Sequence, residues 1–189
     1  FAQKLSGIKN LAECAKTGAI KSKITANIVI TKLNFAALPE TIKFLSKYGI
    51  SEFRLNYMRP EGRAMSNFDR IGVRYSELIP TISRVIELSR GINAGINLEG
   101  IPPCILRMAD EPETLMGEKR DHLNLVVSFN DSTKKNIVRE TFLWKNRRKY
   151  ELKTKGENCS KCAYNGNCEG VWRGYVERSG FEEFKPVIR

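Results

Sequence analysis

The sequence predicts an α/β fold built on a parallel sheet, followed by a small cysteine-rich α+β part. Residues 1–104 alternate between amphipathic-helix patterns and apolar strand patterns. Such alternation is typical of parallel strands joined by helical crossovers. Residues 105–189 lose the alternation and carry three of the five cysteines.

The composition is that of an ordinary globular protein. The chain has 189 residues, 41% of them hydrophobic, which is enough for one core with a small appended unit. No apolar run approaches the length of a membrane span, so we expect no membrane among its partners. His122 is the only histidine, which excludes a histidine-rich catalytic zinc site and argues against Ser–His–Asp chemistry.

A formal net charge of +11 would attract polyanions. Nucleic acid therefore stays open as a partner. The densest basic run, residues 145–149, is interpreted first as a solvated face, with an RNA or anionic-substrate patch as the alternative.

Three helices are predicted from apolar residues spaced by three and four positions. Gly18 and Gly49 follow the first two and are typical helix stops. The three apolar stripes consist of Phe1, Leu5, Ile8, Ala12 and Ala15, of Leu38, Ile42 and Leu45, and of Leu78, Ile82, Val85 and Ile86.

Three strands are predicted between and after these helices, at residues 24–31, 53–58 and 96–98. The first is β-branched and almost continuously apolar, which predicts a strand buried on both faces. Active and binding sites of parallel sheets usually lie at the carboxyl ends of the strands. The third strand runs directly into Cys104, which we therefore expect at that edge of the sheet.

Residues 110–121 are charged and irregular, and residues 123–127 and 140–144 predict two short strands of a small antiparallel element. The segment that follows holds Cys159, Cys162 and Cys168 in the spacing C-x2-C-x5-C. The first pair brackets one tight turn, and Tyr164–Asn167 predicts a second turn that returns Cys168 to the same centre.

Four thiolates around one centre indicate zinc or an iron–sulfur cluster, because both accept soft sulfur ligands. Cys104 would be the fourth ligand, and Cys14 is left without a role. Spacing alone does not separate the two metals. A disulfide framework is the third reading, although the odd cysteine count and the lack of a secretory leader argue against it.

Several of these segments resemble a known family. Residues 7–11, 27–34 and 60–64 (Pro-Glu-Gly-Arg-Ala) resemble the second half of a radical SAM barrel. Residues 102–104 and 159–172 resemble the auxiliary cluster domain, of twitch or SPASM type, in the maturase-like branch of that family.

The resemblance implies a partial (β/α) barrel with parallel strands over residues 1–108 and an auxiliary-cluster domain over residues 109–189. Two features depart from the family. The C-x3-C-x2-C loop that holds the catalytic cluster is absent, and the chain begins at Phe1 rather than Met, so we expect a piece that starts halfway round the barrel. Trp172 stands where a full SPASM domain has its next cysteine, which implies one auxiliary 4Fe–4S cluster.

The resemblance also implies roles for individual residues. Asn27 and Ile28 would line the ribose and amino-acid portion of S-adenosylmethionine, and Met58 would lie at the strand end that contacts adenine. Cys104, Cys159, Cys162 and Cys168 would bind the auxiliary cluster.

By the same resemblance, the parent enzyme would cleave S-adenosylmethionine reductively and abstract a hydrogen from a peptide, protein or small-molecule substrate. Ferredoxin or flavodoxin would supply electrons. We expect a cytoplasmic protein, no cleavage activity from this chain alone, and self-association through an exposed strand edge. The alternative is a basic zinc-binding module that binds RNA or another polyanion.

Overall fold

The computed structural model describes residues 2–108, 126–129 and 140–188. The first part alternates helices and strands, as the sequence predicts. Its elements, in chain order, are α1 (Ala2–Lys16), β1 (Thr25–Ile30), a 3-10 turn (Phe35–Ala37), α2 (Leu38–Ser46), β2 (Glu52–Tyr57), α3 (Arg63–Ser66), α4 (Phe68–Ile71), α5 (Tyr75–Gly91), β3 (Gly95–Glu99) and α6 (Pro103–Met108).

The three strands form a parallel sheet in the order β1-β2-β3. Thr25 pairs with Glu52, and Glu52 in turn pairs with Gly95. Because neighbouring strands are parallel, their carboxyl ends lie at one edge, which we call the carboxyl edge. The predicted α/β class and the parallel sheet are therefore confirmed.

One face of the sheet packs against helices. Its side chains come from alternate strand positions that the register places side by side. They belong to one buried hydrophobic cluster with α2 and α5, whose members include Ile30, Phe53, Leu55, Tyr57, Leu98, Leu38, Ile42, Leu78, Ile82, Val85 and Ile86. This cluster contains the stripes predicted for α2 and α5, with Leu45 partly buried against it. From the stripe predicted for α1, only Ile8 packs against the cluster, and Phe1 lies outside the described residues.

The opposite face of the sheet is polar. Asn27, Arg54 and Asn97 lie side by side across the three strands, and Asn56 pairs with Glu99 one step further along. All five residues are exposed or half-buried. We call them the polar face.

Burial alternates along β1, and Val29 is 52% exposed. The prediction that this strand is buried on both faces is therefore wrong. A run of β-branched residues fits a strand with one covered face as well as one with two, because strand preference and burial are separate properties.

The remaining part of the chain is built from short elements. They are β4 (Val126–Phe129), β5 (Glu140–Leu143), α7 (Trp144–Arg147), a π-helical turn (Arg148–Leu152), β6 (Lys153–Thr154), a 3-10 turn (Glu157–Lys161), β7 (Val171–Trp172) and α8 (Arg173–Ser179). β4 pairs antiparallel with β5, and β6 pairs antiparallel with β7. The predicted antiparallel element is confirmed in the described strands, while residues 110–121, residues 123–125 and His122 lie outside the described residues.

The C-terminal elements pack onto the parallel sheet. Tyr175 is fully buried, and its ring centroid lies 4.7 Å from that of Tyr75, which is itself stacked on Tyr57 at 4.3 Å. Val171, Trp172, Tyr175 and Phe184 belong to the same buried cluster as the sheet residues. The division into domains at residues 108 and 109 stays a prediction, but described residues from both sides of it share one core.

In the described ranges, no helix is both long enough and apolar enough to cross a membrane.

Candidate metal centre

Cys104, Cys159, Cys162 and Cys168 line one concavity. None of the four is in a disulfide. The concavity also has apolar walls, to which Val171 contributes. The structure therefore brings together the four thiols that the sequence singles out, including the distant Cys104.

Cys104 reaches the concavity because β3 ends just before it. The residue lies in the first turn of α6, which begins at the carboxyl edge of the sheet. Burial, and then the nearby Cys168, Cys162 and Cys159, raise the pKa of the Cys104 thiol to about 12. The Cys104 thiol thus lies near the other three cysteines.

The other three cysteines are held by two consecutive turns. The Cys162 N–H donates to the Cys159 carbonyl at 3.1 Å, which closes the first turn. The Cys168 N–H donates to the Tyr164 carbonyl at 2.8 Å, which closes the second. Both predicted turns are confirmed.

Backbone amides point at two of the sulfurs. The Gly170 N–H donates to Cys168 Sγ at 3.3 Å, and the Val187 N–H donates to Cys162 Sγ at 3.4 Å. Hydrogen bonds of this kind help to set the reduction potential of iron–sulfur clusters.

Gly170 is required where the Cys168 turn meets β6. Its φ is +95°, a conformation that favours glycine. A Cβ at this position would also lie 2.2 Å from the carbonyl oxygen of Thr154. No larger residue fits between the cysteine segment and β6 without moving one of them.

A buried ion cluster supports the same segment. The Glu169 carboxylate accepts hydrogen bonds from Arg148 Nε at 2.6 Å, Arg148 Nη2 at 2.7 Å and Lys153 Nζ at 3.1 Å. The side chain of Glu169 is 10% exposed, that of Arg148 is 9% exposed and that of Lys153 is 2% exposed. Burial alone would raise the pKa of the Glu169 carboxyl, but Arg148 and Lys153 outweigh it and hold the pKa below its ordinary value.

The sequence reasoning missed this cluster. It assigned residues 145–149 to a solvated basic face, whereas Arg148 is buried and paired. Arg148 and Glu169 are 21 positions apart, and no local spacing rule connects them. A sequence feature that could have indicated the cluster is Glu169 itself, an acidic residue directly after the candidate ligand Cys168 in a strongly basic chain.

The donor set fits a four-sulfur metal site in the chemistry of its donors. Four soft donors line one concavity, as zinc or an iron–sulfur cluster requires. In the described part of the chain, however, no group of three or more His, Cys, Asp or Glu is assembled closely enough to hold a metal ion. A metal or cluster would therefore have to draw the four sulfurs closer together when it binds.

The residues expected to line S-adenosylmethionine do not share one surface. Asn27 lies on the polar face, where its Oδ1 accepts a hydrogen bond from Asn56 Nδ2. The side chain of Ile28 points to the opposite, helix-covered face and packs against the core. Met58 is buried in the core, and its N–H donates to the Ile30 carbonyl at 3.2 Å. Of the three, only Asn27 presents its side chain to the polar face.

The chain matches no protein-family model, no curated protein and no solved structure. The fold and the site define a mixed α/β protein with a three-stranded parallel sheet and a concavity lined by four thiols.

Proposed function

We propose that this chain is the part of a radical SAM enzyme that carries an auxiliary 4Fe–4S cluster. Cys104, Cys159, Cys162 and Cys168 would hold the cluster. The observation that carries the proposal is the convergence of these four thiols on one concavity beside the carboxyl edge of a parallel sheet. In the complete enzyme, reductive cleavage of S-adenosylmethionine would supply the radical that abstracts a hydrogen from a peptide, protein or small-molecule substrate.

The sheet supports the partial-barrel part of the proposal. Sequential strands pair side by side and in parallel, which is the arrangement of a (β/α) barrel. One face packs against helices, and the other is polar, as the lining of a ligand-holding interior would be. Arg54 Nε lies 3.2 Å from Glu99 Oε1 on this face. The buried Oδ1 atoms of Asn56 and Asn97 have no hydrogen-bond partner among the described residues, so a bound ligand with N–H or O–H groups would satisfy them.

The residues around the concavity have defined roles in this proposal. The Gly170 and Val187 amides donate to the Cys168 and Cys162 sulfurs and would help to set the reduction potential of a bound cluster. The apolar wall that includes Val171 limits the access of water, which affects the reduction potential. Four cysteine ligands leave no open iron position, so the site would serve electron transfer or structure. A ferredoxin or flavodoxin would then be the redox partner, in the cytoplasm.

Anaerobic reconstitution of the purified chain with ferrous iron and sulfide tests the site. We expect a brown protein with broad visible absorption and about four irons per chain. Changing Cys159, Cys162 or Cys168 to alanine should abolish the colour. Cys14→Ala is the matched control, because Cys14 is an exposed thiol far along the chain from the concavity, and it should leave the colour unchanged. A colourless protein that binds one zinc and no iron would contradict the cluster proposal.

That outcome would favour the competing function, a zinc-binding module for RNA or another polyanion, since zinc accepts the same four donors. Its polyanion affinity should fall with salt and on Lys149→Gln, because Lys149 is exposed. Arg148 does not serve for this test, since its side chain is buried against Glu169 and its removal would disturb the fold.

A further inference from the structure

Glu169 connects the Cys168 turn to two consecutive elements, whose contacting residues precede it by 21 and 16 positions in the chain. It directly follows Cys168 in the sequence. Its carboxylate binds both Arg148, at the start of the π-helical turn, and Lys153, at the start of β6. Lys153 also lies over the Trp172 ring, with its Nζ 5.0 Å from the ring centroid. These contacts tie the Cys168 turn to the π-helical turn, to β6 and to β7.

We propose that Glu169, clamped by Arg148 and Lys153, is a positioning residue that holds Cys168 in place for metal binding. The inference rests on the proposed cluster site. Buried charges are retained only when they are paired with good geometry, and the two parallel bonds from Arg148 also fix the direction of the carboxylate. A carboxylate one residue from a ligand, held in this way, restricts where the sulfur of that ligand can lie.

The competing explanation is that the cluster of charges acts on the metal centre through charge alone. Two substitutions separate the explanations, because they change the local charge in opposite directions. Glu169→Gln removes a negative charge, and Lys153→Met removes a positive charge. If Glu169 positions Cys168, both substitutions should loosen the Cys168 turn and accelerate the loss of the cluster. If the charges act directly on the metal centre, the two substitutions should change the rate of cluster loss in opposite directions.

The experiment measures the rate at which the reconstituted iron–sulfur cluster is lost to a chelator, followed by its visible absorbance. We expect both variants to lose the cluster about tenfold faster than the unmodified chain or more, as for other residues that orient a ligand. Arg148→Lys keeps the positive charge but cannot make the bidentate interaction with Glu169. It should therefore also accelerate the loss of the cluster. This variant decides the question if Glu169→Gln does not fold.

The matched controls are Glu157→Gln and Lys161→Met, which change exposed residues of the Cys159 turn. They should release the cluster at the unmodified rate. A merely structural role would lower the melting temperature of the metal-free variants but leave the release rate unchanged.

Opposite changes in release rate for Glu169→Gln and Lys153→Met, or unchanged rates in Lys153→Met and Arg148→Lys, would overturn the inference while the cluster site stood. If the unmodified chain binds no cluster, the proposed function fails first and the positioning role fails with it. The two failures are therefore distinguishable.

Discussion

Gly174 packs directly on the carbonyl group of Pro60. A Cβ at residue 174 would lie 2.3 Å from the Pro60 oxygen and 3.1 Å from the Met65 sulfur. This contact joins α8 to the turn that follows β2. It sets how closely the C-terminal elements, and with them the cysteine segment, approach the carboxyl edge of the sheet.

Gly174→Ala should therefore destabilise the chain. The steric cost of overpacking is about 1–3 kcal/mol, and the better helix propensity of alanine returns about 1 kcal/mol. We expect a net loss of up to about 2 kcal/mol in the free energy of unfolding, measured with urea. Gly7→Ala is the matched control, because Gly7 also lies in a helix but has open space around it, and it should be neutral or stabilising. Equal behaviour of the two variants would show that α8 does not pack tightly on Pro60.

Tyr175 provides a second link across the core. Its hydroxyl accepts a hydrogen bond from the Tyr75 N–H at 3.2 Å and donates one to the Glu183 carboxylate. Tyr175→Phe keeps the ring and removes both bonds, so we expect a loss of about 1.5–3 kcal/mol, the range for hydrogen bonds to charged groups. Chemical denaturation would measure it. Tyr150→Phe, at a ring that is 64% exposed, should change stability little, and an equally small effect at Tyr175 would refute the link.

Because of the environment of Glu183, we expect the stability of the folded chain to depend on pH. Burial alone would raise the pKa of its carboxyl, but hydrogen bonds from Ser76, Tyr175 and Arg74 outweigh burial and hold the pKa below its ordinary value. A carboxyl with a lowered folded-state pKa stabilises the fold above its unfolded pKa, about 4.3 for glutamate. That contribution is lost as the pH falls through the lowered value.

The melting temperature of Glu183→Gln should therefore lie below that of the unmodified chain at neutral pH, and the gap should narrow as the pH falls below about 4. Thermal unfolding over a pH series would measure the gap. Glu182→Gln removes the neighbouring exposed carboxylate and should show no such gap. A gap at Glu183 that stayed constant with pH would mean that its charge does not stabilise the fold.

We expect the chain to self-associate through β1. In the described part of the chain it pairs only with β2 and so forms one edge of the parallel sheet. An open edge can pair with another chain. We expect a concentration-dependent dimer in analytical ultracentrifugation, weakened by Val29→Lys on this strand. Leu11→Lys, at an exposed residue of α1, should not weaken it. A stable monomer of the unmodified chain at all concentrations would contradict the prediction.

The sequence alone predicted the elements that local patterns control. The helix stripes, the three parallel strands and the two cysteine turns all appear at the expected places, because each depends on residues within a few positions of one another. The expectation that residues 24–31 are buried on both faces was wrong, since a local pattern of β-branched residues does not report what lies above a strand. The same limit applies to Arg148, whose neighbours in the sequence are basic while its partner Glu169 is distant.

By itself, then, the sequence determined the α/β class, the order of helices and strands, and the donor chemistry of Cys104, Cys159, Cys162 and Cys168. Only the tertiary structure decided that these thiols share one concavity, that one face of β1 is exposed, and that Glu169 is clamped by Arg148 and Lys153. The physical reason is that these features depend on contacts between distant segments. Such contacts are set by how the helices, the sheet and the C-terminal segment pack against one another, which no short window of residues contains.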